Sequence, residues 1–269
     1  MSLYGIWLLT TGGRDESQEK IYMIDKKTEY IYGTRAVAEA VKAGKQIEKI
    51  ILQQGLSNPL ITELKDLLVE RKIPFQLVPL PKIQQVTRGN HQGVVAWLSL
   101  VEYQQVEDLI PLIFDKGELP LFIMLDRVTD VRNLGAIART ALCTGVHAII
   151  IPEQGSARIN ADAVKTSAGA LHSVPVCREK NLKLAMEYMK GSGIRIFAAT
   201  EKASLPYYKA NLADPCCIIM GSEGEGISPE YLKRADEQIT IPMKQTVASL
   251  NVSVAAGVIL FEAFRQRNA

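Results

Sequence analysis

Along the chain, apolar positions fall into two alternating spacings. Residues 34–43 carry Val37, Ala40 and Val41 at helical intervals and stop at Gly44, and residues 59–71 repeat the spacing with Leu60, Leu64, Leu67 and Leu68. Residues 49–52, 75–78 and 93–100 are short apolar runs of strand type, the second halted by Pro79 and Pro81. Residues 101–119 break the rhythm: they are more acidic, hold one amphipathic stretch at 106–114 and close on Asp115-Lys116-Gly117-Glu118. The alternation then resumes with stronger strands at 121–125, 148–151, 174–176, 194–199, 216–220 and 238–241. Near-continuous apolar runs suit strands covered on both faces of a parallel sheet. Helices are predicted between and after them at 134–144, 161–171, 182–190, 229–235 and 250–267. Strands alternating with helices predict an α/β layer structure. The expected organisation is a poorly ordered extension over 1–24, in which Met23 is an alternative start, a first domain over 25–103, a linker over 104–118 and a second domain over 119–269.

Composition narrows the function classes. A chain of 269 residues with 47% hydrophobic and 22% charged residues can bury a substantial core. Lys and Arg total 31 against 29 Asp and Glu, a net charge of +2, which excludes a polycationic tail but leaves room for a local basic patch. Cys143, Cys177, Cys216 and Cys217 form no C-x-x-C pair, so a zinc ribbon or thioredoxin-type site is not expected, and the thiols read as buried and reduced in a cytoplasmic protein. The apolar run at 252–261 is too short to span a membrane. The apolar residues 6–9 lead straight into the polar run 12–20, without the basic start and cleavage site of a signal peptide.

Three segments could carry chemistry, each just after a strand, where open α/β sheets place ligands. In 125–139, Asn133 reads as a helix cap and Arg139 as a solvated or ion-paired side chain, and six residues between them give no shared helical face. In 218–229, Gly221, Gly224 and Gly226 allow close backbone approach and Ser228-Pro229 opens a helix. The spacing is not G-x-G-x-x-G, and Glu223 and Glu225 would repel a pyrophosphate. A carboxylate here suits a ribose hydroxyl or a cation, and a plain glycine turn is the alternative. In 239–257, a strand ends at Pro242 and a helix begins at Ser249 or its neighbour. Asn251 in that apolar first turn needs partners, either in a neighbouring loop or in a site. Gly257 in mid-helix costs about 1 kcal/mol against Ala, which suggests a closely packed neighbour.

Together these segments resemble the three motifs of the SpoU branch of the SPOUT RNA 2′-O-ribose methyltransferases. Asn133-x-Gly135-x-x-x-Arg139 looks like the first, Gly221-x-Glu223-Gly224-x-Gly226 the second, and Ile241-Pro242-Met243 with Ser249-Leu250-Asn251-Val252-Ser253-Val254-Ala255 the third. The match covers about residues 119–269, in the family's order and spacing. The runs Tyr32-Gly33-Thr34-Arg35-Ala36-Val37 and His91-Gln92-Gly93-Val94-Val95-Ala96 are similar to the family's L30e-like RNA-binding domain. That domain order most resembles the bacterial 23S rRNA guanosine-2′-O-methyltransferase subgroup.

The resemblance implies a parallel-sheet SPOUT domain with a deep trefoil knot, preceded by a small L30e-like α/β domain, and a homodimer. It implies S-adenosylmethionine held in a bent shape by backbone groups near Thr200, Gly221, Ile241, Met243 and Leu250, with no metal needed. The family's assigned base maps to Arg139, but a guanidinium is effectively always protonated, so a phosphate-holding, alkoxide-stabilising role is the physical expectation. Asn133, Glu223, Ser249 and Asn251 would orient it and the ribose. Arg35, Arg88, Asn90, His91 and Arg132, polar or basic groups near loop ends, are the expected RNA contacts, with 23S rRNA as the expected partner. The competing readings are the same chemistry on tRNA, a non-catalytic ribosome-assembly factor, and a nicotinamide dehydrogenase. The first domain argues against tRNA, the complete motif set against an assembly factor, and the missing G-x-G-x-x-G against a dehydrogenase.

Overall fold

The computed structural model describes residues 30–244 and 249–268, so the expected extension at 1–24 and Met23 lie outside the described residues. The chain first builds β1 (Tyr30–Tyr32), α1 (Thr34–Lys42), β2 (Ile47–Gln53), α2 (Pro59–Glu70), β3 (Phe75–Val78), α3 (Leu80–Gln84) and β4 (Val94–Leu98). These strands form a four-stranded sheet in the order β1-β4-β2-β3, with β4 antiparallel to both neighbours and β2 parallel to β3. Alternation along β2 sends Ile50 and Leu52 toward Val37, Leu64 and Leu68 of α1 and α2. It sends Ile51 to the other face, against Tyr30, Val95 and Ile83 of α3. Helix α2 starts where the Asn58 side chain accepts the Ile61 amide and Pro59 supplies a pre-set φ.

The second part runs β5 (Tyr103–Gln104), α4 (Val106–Asp115), β6 (Leu121–Leu125), α5 (Val131–Cys143), β7 (Ala148–Pro152), α6 (Ala161–Thr166), β8 (Val176–Glu179), α7 (Leu182–Gly191), β9 (Arg195–Ala199), β10 (Leu205–Pro206), β11 (Cys216–Met220), α8 (Pro229–Leu232), β12 (Glu237–Thr240) and α9 (Val252–Arg267). Its eight strands pair in parallel in the order β10-β12-β9-β11-β6-β7-β8-β5. Every residue of β6 and β11 is buried. Leu121, Ile123, Ile218 and Met220 pack with Ile137 of α5 and Ile259 and Leu260 of α9. Phe122, Met124, Cys217 and Ile219 pack with Ile110 of α4 and Met186 of α7. Each fully buried large side chain contributes about 1.5–3 kcal/mol, so this sandwich, with helices on both faces, dominates the core.

The structure corrects several expected boundaries. Within 104–118, the expected linker, Gln104 belongs to β5, which pairs with β8, and α4 covers the parallel sheet. The buried Glu179 carboxylate at the end of β8 accepts the Val106 amide at 2.9 Å, and burial raises its pKa above the usual carboxylate range. The helix expected to Leu171 ends at Thr166, because Ala168 and Gly169 take φ of 51° and 86°, and one 3-10 turn (Ala170–His172) follows. The strand expected at 174–176 lies at Val176–Glu179, in register with Ile149 to Pro152 of β7. Helix α8 stops at Leu232, and α9 starts at Val252 because Asn251 is its cap. Cys177, Cys216 and Cys217 are buried, whereas Cys143 is exposed. Gly257 does not mark a tight crossing: a Cβ there would meet only Thr140 Cγ2, at 4.0 Å.

Candidate functional site

Strands β12, β9, β11 and β6 are neighbours, and their carboxyl ends line one edge of the sheet, with Met220 level with Leu125 and Ala199 level with Ile239. The loops leaving this edge carry the candidate residues. Asp130, not Asn133, caps α5: its Oδ1 accepts the amides of Arg132 and Asn133 at 2.6 and 3.2 Å. The Asn133 side chain is therefore spared from capping, and its Nδ2 donates to Glu223 Oε1 at 3.0 Å. Asn251 does both jobs at once. Its Oδ1 accepts the Ser253 and Val254 amides at the start of α9, while its Nδ2 donates to Glu223 Oε1 at 2.6 Å and to Asn133 Oδ1 at 3.0 Å. One carboxylate oxygen thus receives two side-chain amides from two helices. Glu223 Oε2 has no hydrogen bond among the described residues, which leaves it able to accept one from a ligand hydroxyl.

The loop bearing Glu223 is rigid for a steric reason. A Cβ on Gly221 would lie 2.1 Å from the Gly226 carbonyl carbon, so only glycine fits. Ser222 and Gly226 exchange two backbone hydrogen bonds across the turn, at 3.0 and 3.1 Å. In the same way, a Cβ on Gly135 would strike the Ala163 carbonyl oxygen of α6 at 2.7 Å.

Two residues that sequence reading passed over hold this loop. Asp126 Oδ2 accepts the Ser228 amide at 2.6 Å and its hydroxyl at 2.7 Å, and Oδ1 accepts Arg127 Nε at 3.2 Å. Arg127 sits at φ 57°, a conformation costly for a side chain of its size, and its guanidinium bonds the Glu225 carboxylate and the Gly226 carbonyl oxygen. Burial opposes its charge, but Asp126 and Glu225 outweigh it and raise the Arg127 pKa. The available signal was a charged pair placed directly after an apolar strand, at the ligand-bearing edge of a parallel sheet.

The other expected residues divide. The Thr200 amide donates to the Ile239 carbonyl at 2.9 Å, tying β9 to β12, and Ile241 continues from β12 half-buried against the core. Met243 and Leu250 are 37% and 39% exposed, a large apolar area to leave at a sheet edge. Ser249 is exposed and makes no hydrogen bond among the described residues. Arg139 is also exposed, about 9 Å further along α5 than Asn133 at 1.5 Å per residue, and has no ion pair or hydrogen bond among the described residues. The structure therefore brings Asn133, Glu223 and Asn251 together and does not bring Arg139 or Ser249 into that cluster.

Four of the five expected RNA contacts share one end of the first sheet. Gln92 Oε1 accepts the Thr34 amide at 3.1 Å, which places the start of α1, and Arg35 on it, beside the loop 89–93. Gly89 lies against the Tyr32 ring, where a Cβ would come within 2.7 Å. His91 Nδ1 accepts the Gly93 amide at 2.9 Å, so the neutral ring carries its proton on Nε2. Asn90 and His91 line an open groove of about 360 Å³ with Gln53, Leu56 and Asn58, and Arg88 precedes them, exposed. Arg132 lies apart, exposed in the first turn of α5 next to Asn133.

Comparison with known proteins agrees with both halves. Residues 120–261 match the SpoU rRNA Methylase family, and residues 30–104 match RNA 2′-O ribose methyltransferase substrate binding. The chain is 34% identical over 245 residues to a Bacillus subtilis (strain 168) protein bearing a TrmH-family tRNA/rRNA methyltransferase name, covering 91% of this chain and 98% of that one. It is 38% identical over 245 residues to the 23S rRNA (guanosine-2′-O-)-methyltransferase RlmB of Photorhabdus laumondii, covering 90% and 100%. A solved AdoMet-bound rRNA methyltransferase from Sinorhizobium meliloti is similar over 88% of this chain and 86% of its own, with 26% identity and a TM-score of 0.57.

Proposed function

This chain belongs to the SpoU rRNA methylase family, and we propose on that premise that it transfers a methyl group from S-adenosylmethionine to a ribose 2′-hydroxyl, on a guanosine of 23S rRNA. The observation that carries the reading is the joining of Asn133, Glu223 and Asn251, one side chain from each of the three motif segments, around a single carboxylate oxygen.

The residues at the sheet edge fit the cofactor. Exposed Met243 and Leu250, with half-buried Ile241, offer apolar cover for an adenine, and the backbone of Thr200, Gly221, Ile241, Met243 and Leu250 offers it hydrogen-bonding groups. When bound, the cofactor supplies a methyl group already attached to a good leaving group. What the chain adds is position and charge. Glu223 Oε2 accepts the ribose hydroxyl, with Asn133 and Asn251 fixing the carboxylate through Oε1. Ser249 supports the same ribose from the entry to α9. Arg139 holds the target phosphate and stabilises negative charge on the 2′-oxygen as its proton passes to solvent water. Arg35, Arg88, Asn90, His91 and Arg132 contact the RNA, with residues 25–103 as its binding domain and 119–269 as the methyltransferase domain.

A homodimer is part of the proposal, supported by Leu142 on α5 and Val254, Phe261 and Phe264 on α9, large apolar side chains left exposed. So is a trefoil knot, supported by the return of α9 from beyond β12 to bond Glu223 and pack on α5. The proposed setting is cytoplasmic; among the described residues no helix is long and apolar enough to cross a membrane, and no group of His, Cys, Asp and Glu is arranged to hold a metal ion.

The decisive experiment maps 2′-O-methyl groups by mass spectrometry in rRNA and tRNA from cells with and without the gene. Loss of one 23S guanosine methylation is expected. A loss confined to tRNA overturns the substrate, and unchanged RNA of both kinds overturns the activity. S-Adenosylhomocysteine is expected to raise the melting temperature of the purified protein, since a ligand that binds only the folded state stabilises it.

A further inference from the structure

Where the two sheets meet, Lys49 lies within electrostatic reach of two further cations, Lys82 and Arg158. Lys49 on β2 lies opposite Trp97 of β4 and holds its Nζ 5.6 Å from the indole centroid. Lys82 is on α3, which packs over β2 through Ile83 and Ile51. Arg158 is exposed on the loop after β7, in the other domain. Arg178 links these parts, donating to Glu48, the neighbour of Lys49, at 3.0 Å and to the Glu153 carbonyl at 3.4 Å. The Tyr103 hydroxyl also donates to Glu48, and the Arg178 guanidinium lies 4.9 Å from the Tyr103 ring centroid. The Glu48 carboxylate is thereby buried and already occupied. Lys49, Lys82 and Arg158 make no ion pair among the described residues. Burial, then the charges of Arg158 and Lys82, hold the Lys49 ammonium below the usual lysine range.

The loop carrying Arg158 also reaches the candidate site. The Ala157 amide donates to the Val128 carbonyl at 2.8 Å, and Gly155 lies against Arg127, where a Cβ would be 3.9 Å from Cγ. Arg127 in turn grips Glu225 and Gly226, in the loop that presents Glu223. A continuous line of contacts therefore runs from Glu223 to Lys49. It leaves the groove of Asn90 and His91 aside, because Trp97 is three residues along β4 from Val94, about 10 Å away at strand rise.

Cations gathered without acidic partners repel one another, and a polyanion relieves the repulsion. We infer that Lys49, Lys82 and Arg158 form a phosphate track that carries the RNA strand from the reacting ribose across the domain junction. This rests on the RNA methyltransferase reading above, and it assigns the strand a path that the loop 89–93 alone would not provide.

The test measures binding of single-stranded polyuridylate to the full chain by fluorescence anisotropy over a series of NaCl concentrations. In Lys49→Gln/Lys82→Gln/Arg158→Gln the slope of log affinity against log salt is expected to fall by about 2, roughly 0.7 for each lost phosphate contact on a single strand, with affinity weakened about tenfold or more. The charge-keeping Lys49→Arg/Lys82→Arg variant is expected to retain the wild-type slope, as is Lys190→Gln/Arg195→Gln/Lys233→Gln, whose sites lie at the amino ends of β9 and β12, away from the β8-β5 edge of the parallel sheet. A wild-type slope and affinity in the first variant overturns the track while the methyltransferase reading stands. An equal loss in the remote-charge variant also overturns it. Absence of polyuridylate binding by the wild-type protein, with S-adenosylhomocysteine binding intact, overturns the track together with RNA as the substrate.

Discussion

At the carboxyl edge of the parallel sheet, Asn133 and Asn251, 118 residues apart, converge on one oxygen of Glu223. In the loop before β4, by contrast, His91 bonds an amide two residues away, and Gln92 and Gly93 take positive φ to let the chain turn. The first site depends on strands, caps and turns that must all arrive in register before any side chain is useful. The second is shaped more by its own few residues, with two long-range bonds: Gln92 Oε1 accepts the Thr34 amide and the Gly93 carbonyl accepts the Gln53 amide. Damage should therefore spread differently. At the edge, a backbone clash or a lost carboxylate should loosen several elements together, whereas at the loop a lost side chain should be felt mainly where it stood.

The largest expected effect tests whether the edge is catalytic. Arg139→Ala should lower the single-turnover methylation rate about hundredfold or more, the loss typical when a group stabilising developing charge is removed, while the melting temperature holds. A rate near wild type would remove Arg139 from the mechanism. Next, Gly221→Ala forces a Cβ into the Gly226 backbone and should destabilise the protein by about 3 kcal/mol in urea unfolding, at the upper end of overpacking costs. Asp126→Ala leaves the Ser228 amide and hydroxyl and the Arg127 Nε without their acceptor and should cost about 2 kcal/mol in the same measurement.

The loop offers the contrast. His91→Ala removes only the acceptor of the Gly93 amide and should cost about 1 kcal/mol, while weakening RNA binding in a titration. A loss as large as that of Asp126→Ala would show that the two regions are not built differently. The smallest effect has the opposite sign. Gly257→Ala fills open space beside Thr140 and should stabilise by about 0.5–1 kcal/mol through helix propensity, read as a raised melting temperature. A destabilised variant would reveal a tight contact on α9, such as a partner copy.

Much of the fold was legible because it rests on period and punctuation. The runs of β6 and β11 match their expected spans residue for residue, since a strand buried on both faces needs every side chain apolar. Ser228-Pro229 likewise opens α8 as expected. Boundaries failed where the deciding contact came from elsewhere. Val176–Glu179 is a strand in the register of β7, and 104–118 entered the second layer because α4 covers the same face as α7.

The sequence by itself determined the alternation of the longer strands and helices and three motif segments whose resemblance pointed to the family, but not the short elements β1, α3, β5 and β10. Local pattern carries that information, because side-chain periodicity and turn residues act over a few positions. Only the tertiary structure decided that Asp130 caps α5 in place of Asn133, that Asn251 both caps α9 and holds Glu223, and that Asp126 and Arg127 brace the loop. An asparagine has one acceptor and two donor hydrogens in either role. Which role it takes depends on which groups the folded sheet brings within 3 Å, a fact about distance in space that no spacing along the chain contains.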